Sequence, residues 1–193
     1  MNVGIVADHL ARRIRESPIF DSPWPYLCLE NALPDDAYHE LLQKRDKARL
    51  CCSEVRAMRT SDFEAGKRRW RDELPQSELV RIFKSYRLGQ ALIEKLGFHG
   101  SPIVRLACDE PGYSLGVHSD LDVKAGTFQL YLTEQEVEGY GTVLHHPETK
   151  EKAIQLPFRP NTALVFRRSD TSFHSVDEVT GPDRWSLIVP YFL

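Results

Sequence analysis

A mainly β fold with supporting helices, a double-stranded β-helix of the jelly-roll, cupin-like kind packed against N-terminal α-helices, is what this sequence predicts. Three observations carry the expectation. From Ser101 onward, short β-favouring runs alternate with Gly, Pro, Asp and Asn, the texture of an all-β sandwich or barrel. The runs fall at 103–109, 113–118, 127–133, 141–146, 151–156, 162–167, 173–179 and 184–191, and eight strands are what a double-sheet jelly roll needs. The first hundred residues carry helical periodicity without a linker, repeat or low-complexity tract, so they read as support for one β-domain. Residues 1–193 are thus expected to form a single domain, with 1–100 as helical support and a basic loop and 101–193 as the jelly-roll core. A chain of 193 residues with 41% hydrophobic content suits one core.

Taken in order, Val6 to Glu16 spaces Val6, Leu10 and Ile14 as one apolar stripe against Arg12, Arg13 and Arg15, which predicts an amphipathic helix. Ser22-Pro23-Trp24-Pro25 ends any helix, and Tyr26–Leu29 reads as a strand before a turn at Asn31–Pro34. Asp35 then caps a helix over Asp36–Arg49, with Tyr38, Leu41, Leu42 and Leu50 on or near one apolar stripe. Cys51 to Glu73 lacks periodicity and reads as a long basic loop, since Lys44–Arg71 holds ten Lys/Arg against four Asp/Glu. One long helix is predicted from Pro75 to Leu96, closed by Gly97. Pro182 and Pro190 are expected at strand ends or edges, because proline cannot donate to a central ladder.

Composition narrows the function. A net charge of −3 gives no global attraction to nucleic acid or to an anionic membrane, and no base-stacking aromatic series accompanies the basic stretch. No window approaches the apolar length of a membrane span, and no signal-like segment opens the chain. Cys28, Cys51, Cys52 and Cys108 show neither a C-x-x-C spacing nor a disulfide framework, so a reducing, cytoplasmic setting is expected.

The chemistry-bearing residues lie in the β-rich half. His118 and Asp120 are two apart, and an extended backbone returns side chains to the same face every second residue. His174 lies 54 residues past Asp120 in another β-favouring run. Two histidines and one carboxylate on one side of an ion leave the opposite positions open. Ten residues beyond His174, Arg184 and Ser186 share a strand face, bringing a guanidinium and a hydroxyl to the same region. Tyr113 and Leu115, alternating with Ser114 and Gly116 into His118, are candidates for substrate contact, against the commoner role of core lining. His145-His146 points two ways from one strand and lacks a carboxylate at a chelating spacing.

This ordered set, H-x-D at His118 and Asp120, the distal His174 and R-x-S at Arg184 and Ser186, resembles the Fe(II)/2-oxoglutarate-dependent oxygenases, nearest in style to their prolyl-hydroxylase-like branch. The resemblance covers about Pro102 to Leu193. It implies that His118, Asp120 and His174 bind Fe(II), with 2-oxoglutarate and the cosubstrate O2 completing the site. It further implies that Arg184 and Ser186 grip the far carboxylate of 2-oxoglutarate and that Tyr131 reaches the same molecule. An aspartate at position 120 favours hydroxylation over halogenation, because halogenating relatives leave that iron position open. Two departures stand out: collagen-type prolyl hydroxylases carry lysine where this chain has Arg184, and several relatives carry tyrosine where it has Asp109-Glu110.

The expected activity is hydroxylation of an unactivated C–H bond in a small molecule, an amino acid or derivative, with release of succinate and CO2. Arg56 and Arg59 of the basic stretch are candidates to receive a carboxylate-bearing substrate through the arginine fork, against the ordinary role of a solvated basic face. A protein-residue, prolyl-type hydroxylase is the second reading. A non-catalytic jelly roll that senses a metal or keto acid is the reading of another class.

Overall fold

The computed structural model describes residues 1–58, 69–74 and 77–193, the side chains of 49–58 and 69–73 apart. Four helices are described, α1 (Val3–Glu16), α2 (Asp35–Met58), α3 (Glu78–Phe83) and α4 (Tyr86–Leu96). The strands are β1 (Tyr26–Leu29), β2 (Arg69–Glu73), β3 (Ser101–Pro102), β4 (Arg105–Asp109), β5 (Leu115–His118), β6 (Lys124–Tyr131), β7 (Val143–His145), β8 (Lys152–Gln155), β9 (Ala163–Arg167), β10 (His174–Val176) and β11 (Arg184–Phe192). They build two antiparallel sheets. The larger runs β1-β9-β6-β11-β4-β2 with β3 added to β11, and the smaller runs β5-β10-β7-β8. This is the expected jelly roll, with β1 and β2 of the first hundred residues entered into its larger sheet.

Both faces of the larger sheet are buried, and the sequence alternates accordingly. On β6, Phe128 and Leu130 belong to the core shared with the helices, while Thr127, Gln129 and Tyr131 face the smaller sheet. β11 repeats the pattern: Trp185, Leu187, Val189 and Tyr191 face the helices, leaving Arg184 and Ser186 on the inner side. Helix α1 seats Val6, Leu10 and Ile14 in the helix-side core as its stripe predicts, and Asn2 caps it by accepting from Ile5 N–H at 3.2 Å. Burying Leu10 and Ile14 contributes about 1.5–3 kcal/mol each. A second apolar cluster, Trp24, Tyr26, Leu144, Leu156, Leu164 and Phe166, fills one part of the space between the sheets.

The helical half differs from expectation in three places. Helix α2 continues through Cys51 and Cys52 to Met58, well past Arg49, so the first part of the expected loop is helical. Its last part is strand β2, paired with β4 in a register that puts Arg69 opposite Asp109. Strong pairing with a neighbouring strand overrides the weak local pattern of a charged stretch. Arg59, Lys67 and Arg68 lie outside the described residues. The long helix from Pro75 is two helices: Lys84 ends α3, and Ser85 takes an extended ψ of 140° and caps α4 through Leu88 N–H at 3.4 Å. Gly97 closes α4 at φ 68°, as expected.

Pro190 is not at a strand end. It lies inside β11 opposite Thr127 of β6, whereas Pro182 lies in the turn before the strand. The Pro190 carbonyl accepts from Ile103 N–H at 3.0 Å, so its missing N–H points to the same side, into the gap between β3 and β4. No ladder bond to β6 is lost there.

Candidate metal centre

Strands β5 and β10 pair with His118 directly opposite His174, bringing the two rings to 4.3 Å between centroids. Asp120 lies two residues beyond the end of β5 rather than within it. The ligand atoms of His118, Asp120 and His174 nonetheless lie within 4.8 Å of one another. Both rings are fixed in the same way. His118 Nδ1 is 2.9 Å from the Gly116 carbonyl and His174 Nδ1 is 3.0 Å from the Ser172 carbonyl. A carbonyl only accepts, so each Nδ1 carries its hydrogen and each Nε2 keeps a lone pair for an ion.

Electrostatics support the same use. Burial would raise the Asp120 pKa, but the Lys124 ammonium, His174 and the Thr127 hydroxyl outweigh it and hold the carboxyl below its usual value. Thr127 donates to Asp120 Oδ2 at 2.8 Å and Lys124 pairs with Oδ1. Burial and then the neighbouring His118 push His174 down to about 4. It is therefore neutral at pH 7, as a ligand must be. A consequence is measurable without metal. Between pH 6.5 and about 4 the unfolded chain protonates this imidazole and the folded chain does not, so apoprotein stability falls as pH drops through that window. The loss is on the order of 3 kcal/mol, and urea midpoints of the apoprotein, compared with His174→Gln, check it.

The inner face of β6 leads away from this cluster. Thr127 touches Asp120, and Tyr131 stands four residues on, about 13 Å along the strand. Tyr131 Oη donates to Thr142 Oγ1 at 3.1 Å, and Thr142 Oγ1 donates to Gln129 Oε1 at 3.1 Å. Tyr131 is held from behind by α2, whose Tyr38 hydroxyl donates to the Thr133 carbonyl at 2.7 Å and accepts from Thr133 N–H at 3.1 Å. Burial raises the Tyr131 pKa, keeping its phenol protonated as a donor.

Arg184 is fully buried at this far end. It donates from Nε to the Tyr140 carbonyl at 2.6 Å, from Nη1 to Asp109 Oδ2 at 2.7 Å and from Nη2 to Thr142 Oγ1 at 3.4 Å. Its guanidinium carbon lies 5.7 Å from the Tyr131 ring centre and 5.4 Å from that of Phe158. Ser186, two residues on and opposite Tyr131, is fully buried, and its hydroxyl has no hydrogen-bond partner among the described residues. An orphaned buried hydroxyl beside a guanidinium is a fitting place for a carboxylate.

The Tyr140 and Thr142 contacts depend on Gly141 between them. A Cβ there would stand 1.5 Å from the Leu156 carbonyl oxygen. Gly141→Ala must therefore push the segment off β8 and away from Arg184. We expect a loss of about 1–3 kcal/mol, the usual cost of overpacking, read as a lower thermal midpoint with weaker 2-oxoglutarate binding.

A family model described as the 2OG-Fe(II) oxygenase superfamily matches residues 104–191, the stretch that contains His118, Asp120, Tyr131, His174, Arg184 and Ser186. Residues 104–191 are a 2OG-Fe(II) oxygenase domain. The oxygenase is an Fe(II)- and 2-oxoglutarate-dependent dioxygenase using O2, and the donor set above suits the ion. No curated protein matches the sequence. Solved structures share its fold at low identity. A Pseudomonas putida prolyl-4-hydroxylase is 17% identical with TM-score 0.63, covering 98% of each chain. A 2OG-Fe(II) oxygenase family oxidoreductase from Burkholderia pseudomallei is 15% identical with TM-score 0.59, covering 96% of this chain and 89% of its own. A Trichoplax adhaerens prolyl hydroxylase, solved with a hypoxia inducible factor peptide fragment, is 13% identical with TM-score 0.57, covering 96% of this chain and 88% of its own.

The expected substrate residues divide. Tyr113 precedes β5 and is buried with Tyr131, Tyr140, Phe158, Val176 and Val179, with Leu115 packed against that cluster. A bulge explains Leu115: three steps of β5 pair with two of β10, which turns Leu115 to the same side as His118. Both therefore line the oxygenase interior as core. Arg56 falls in α2 with its side chain outside the description, and Arg59 lies outside the described residues. His145 is a buried structural residue, bonded to the Lys150 carbonyl at 2.9 Å and Ser175 Oγ at 2.8 Å. Asp109, Thr127, Gln129 and Thr142 were not singled out from sequence as site residues. The available signal was polarity at alternate positions of an otherwise apolar strand, Thr127 and Gln129 leading to Tyr131. Among the described residues no helix is long and apolar enough to cross a membrane.

Proposed function

We propose that this oxygenase hydroxylates an unactivated C–H bond of a small molecule, an amino acid or a carboxylate-bearing derivative, releasing succinate and CO2. The carrying observation is the convergence of His118, Asp120 and His174, whose ligand atoms all lie within 4.8 Å of one another. His118, Asp120 and His174 hold the ion, with a net charge of about +1 once two neutral imidazoles and one carboxylate surround Fe(II). Bound Fe(II), 2-oxoglutarate and O2 supply the oxidising chemistry. The chain's own residues bind and orient. Thr127 and Lys124 fix the Asp120 oxygens, Arg184 and Ser186 take the distal carboxylate, and Tyr131 aligns the molecule between them. Asp120 fills an iron position and so favours hydroxylation over halogenation. We treat residues 1–193 as one domain acting in the cytoplasm, a reading supported by a helix-side core that joins α1 to α4 with both ends of the β-rich half and by the absence of a disulfide spacing.

A second reading is a prolyl-type protein hydroxylase, favoured by the lip of the site. Val117, Leu121 and Val123, beside the two ligands of the H-x-D pair, are 43%, 69% and 56% exposed. Such apolar exposure suits contact with a peptide, and likeness to prolyl hydroxylases runs the length of the chain. Anaerobic titration with Fe(II) and 2-oxoglutarate, read by the visible charge-transfer band, tests the shared chemistry. The protein is then mixed with O2 and succinate is followed with free amino acids or prolyl peptides present. Acceleration by a free amino acid upholds the small-molecule reading, and acceleration by peptides alone replaces it with the second. Absence of the band in folded protein overturns both.

A further inference from the structure

We propose that Asp109 is a built-in counter-ion to Arg184 that 2-oxoglutarate must displace or share, so that it sets the affinity and selectivity of the oxygenase for its keto acid. The inference rests on the reading of Arg184 as the carboxylate-gripping residue. Strand register places Asp109 directly opposite Arg184, both side chains are fully buried, and their charged atoms are 2.7 Å apart. The guanidinium is thus neutralised by the fold before any ligand arrives.

Arginine has five N–H groups, and Arg184 commits three to Asp109, Tyr140 and Thr142. Hydrogen-bonding capacity for another carboxylate remains on Nη1 and Nη2, whereas the charge that would attract it is already balanced. A second anion brought to this buried position meets the Asp109 carboxylate at close range, where repulsion is poorly screened. Ser186 provides the uncharged part of the seat, since its buried hydroxyl has no partner among the described residues. The site is therefore able to receive a carboxylate but biased against its charge. Were Asp109 only a brace for Arg184, replacing it by asparagine would weaken binding or leave it unchanged, because the amide oxygen still accepts from Nη1. Were it a competing charge, the same replacement would strengthen binding.

The test is anaerobic titration of the Fe(II)-loaded full chain with 2-oxoglutarate and, separately, with 2-oxopentanoate, which has the keto acid head without the distal carboxylate. For Asp109→Asn we expect 2-oxoglutarate to bind about 10-fold tighter or more, the weight of a charge-assisted contact, with 2-oxopentanoate unchanged. In an Arg184→Gln background, Asp109→Asn should still favour 2-oxoglutarate, because the repelling carboxylate is removed there too, and should leave 2-oxopentanoate unchanged. If Arg184→Gln weakens 2-oxoglutarate but Asp109→Asn in the native background weakens it or leaves it unchanged, the counter-ion proposal is overturned while the role of Arg184 stands. If Arg184→Gln has no effect on 2-oxoglutarate, the role of Arg184 falls and the proposal with it. Should Asp109→Asn lose its melting transition, the native protein decides. Discrimination between the two keto acids below about 10-fold upholds a neutralised Arg184, and discrimination beyond it overturns the idea.

Discussion

Asp120→Ala is expected to abolish high-affinity Fe(II) binding and, with it, succinate formation. Outer-shell partners of a metal site typically contribute 10–100-fold in affinity, so losing the single carboxylate should exceed about 100-fold. The substitution also strands Lys124, whose ammonium pairs with Asp120 Oδ1, and deprives Thr127 of its acceptor. The ion would then face two neutral imidazoles and a nearby cation. Thr127→Val is the milder control, expected to fall in the outer-shell range of about 10–100-fold with the charge-transfer band retained. Equilibrium dialysis of Fe(II) under anaerobic conditions measures both. Undiminished Fe(II) affinity in Asp120→Ala would sink the triad assignment.

Arg184→Ala is expected to weaken 2-oxoglutarate binding and destabilise the fold together. A charge-assisted contact contributes roughly 1.5–3 kcal/mol, or about 10–150-fold in affinity, toward the lower end if Asp109 already balances the charge. Stability suffers for a separate reason. Removing one member of a buried ion pair typically costs about 3–5 kcal/mol, and the Tyr140 carbonyl loses its 2.6 Å donor as well. At about 2–4 °C per kcal/mol for a chain of this size, the thermal midpoint drops by roughly 10 °C. Calorimetry and keto-acid titration separate the two effects. A stable variant with full 2-oxoglutarate affinity would remove Arg184 from the site.

Legibility followed the range of the forces involved. The strand-rich half could be read because turn residues and period-two alternation are local, and Gly97, the α1 stripe and the β1 run are local as well. The helix break at Ser85 was also written locally, in a good N-cap residue, but the continuous apolar face around it concealed the signal. Strand β2 and the length of α2 could not be read, since a charged stretch without periodicity acquires its structure from the neighbour it pairs with. Pro190 could not be placed either, because its tolerance depends on where β3 and β4 happen to stop.

By itself the sequence determined the fold class and singled out the candidate residues for metal and carboxylate binding, because those depend on residue types at spacings that a strand reproduces wherever it lies. Tertiary structure alone decided how these residues meet. It brought His118 opposite His174 through strand register, turned Leu115 inward through a bulge, and set Asp109 against Arg184 from 75 residues away. Pairing across strands and the desolvation that accompanies it are properties of neighbours, and neighbours are chosen only when the chain folds.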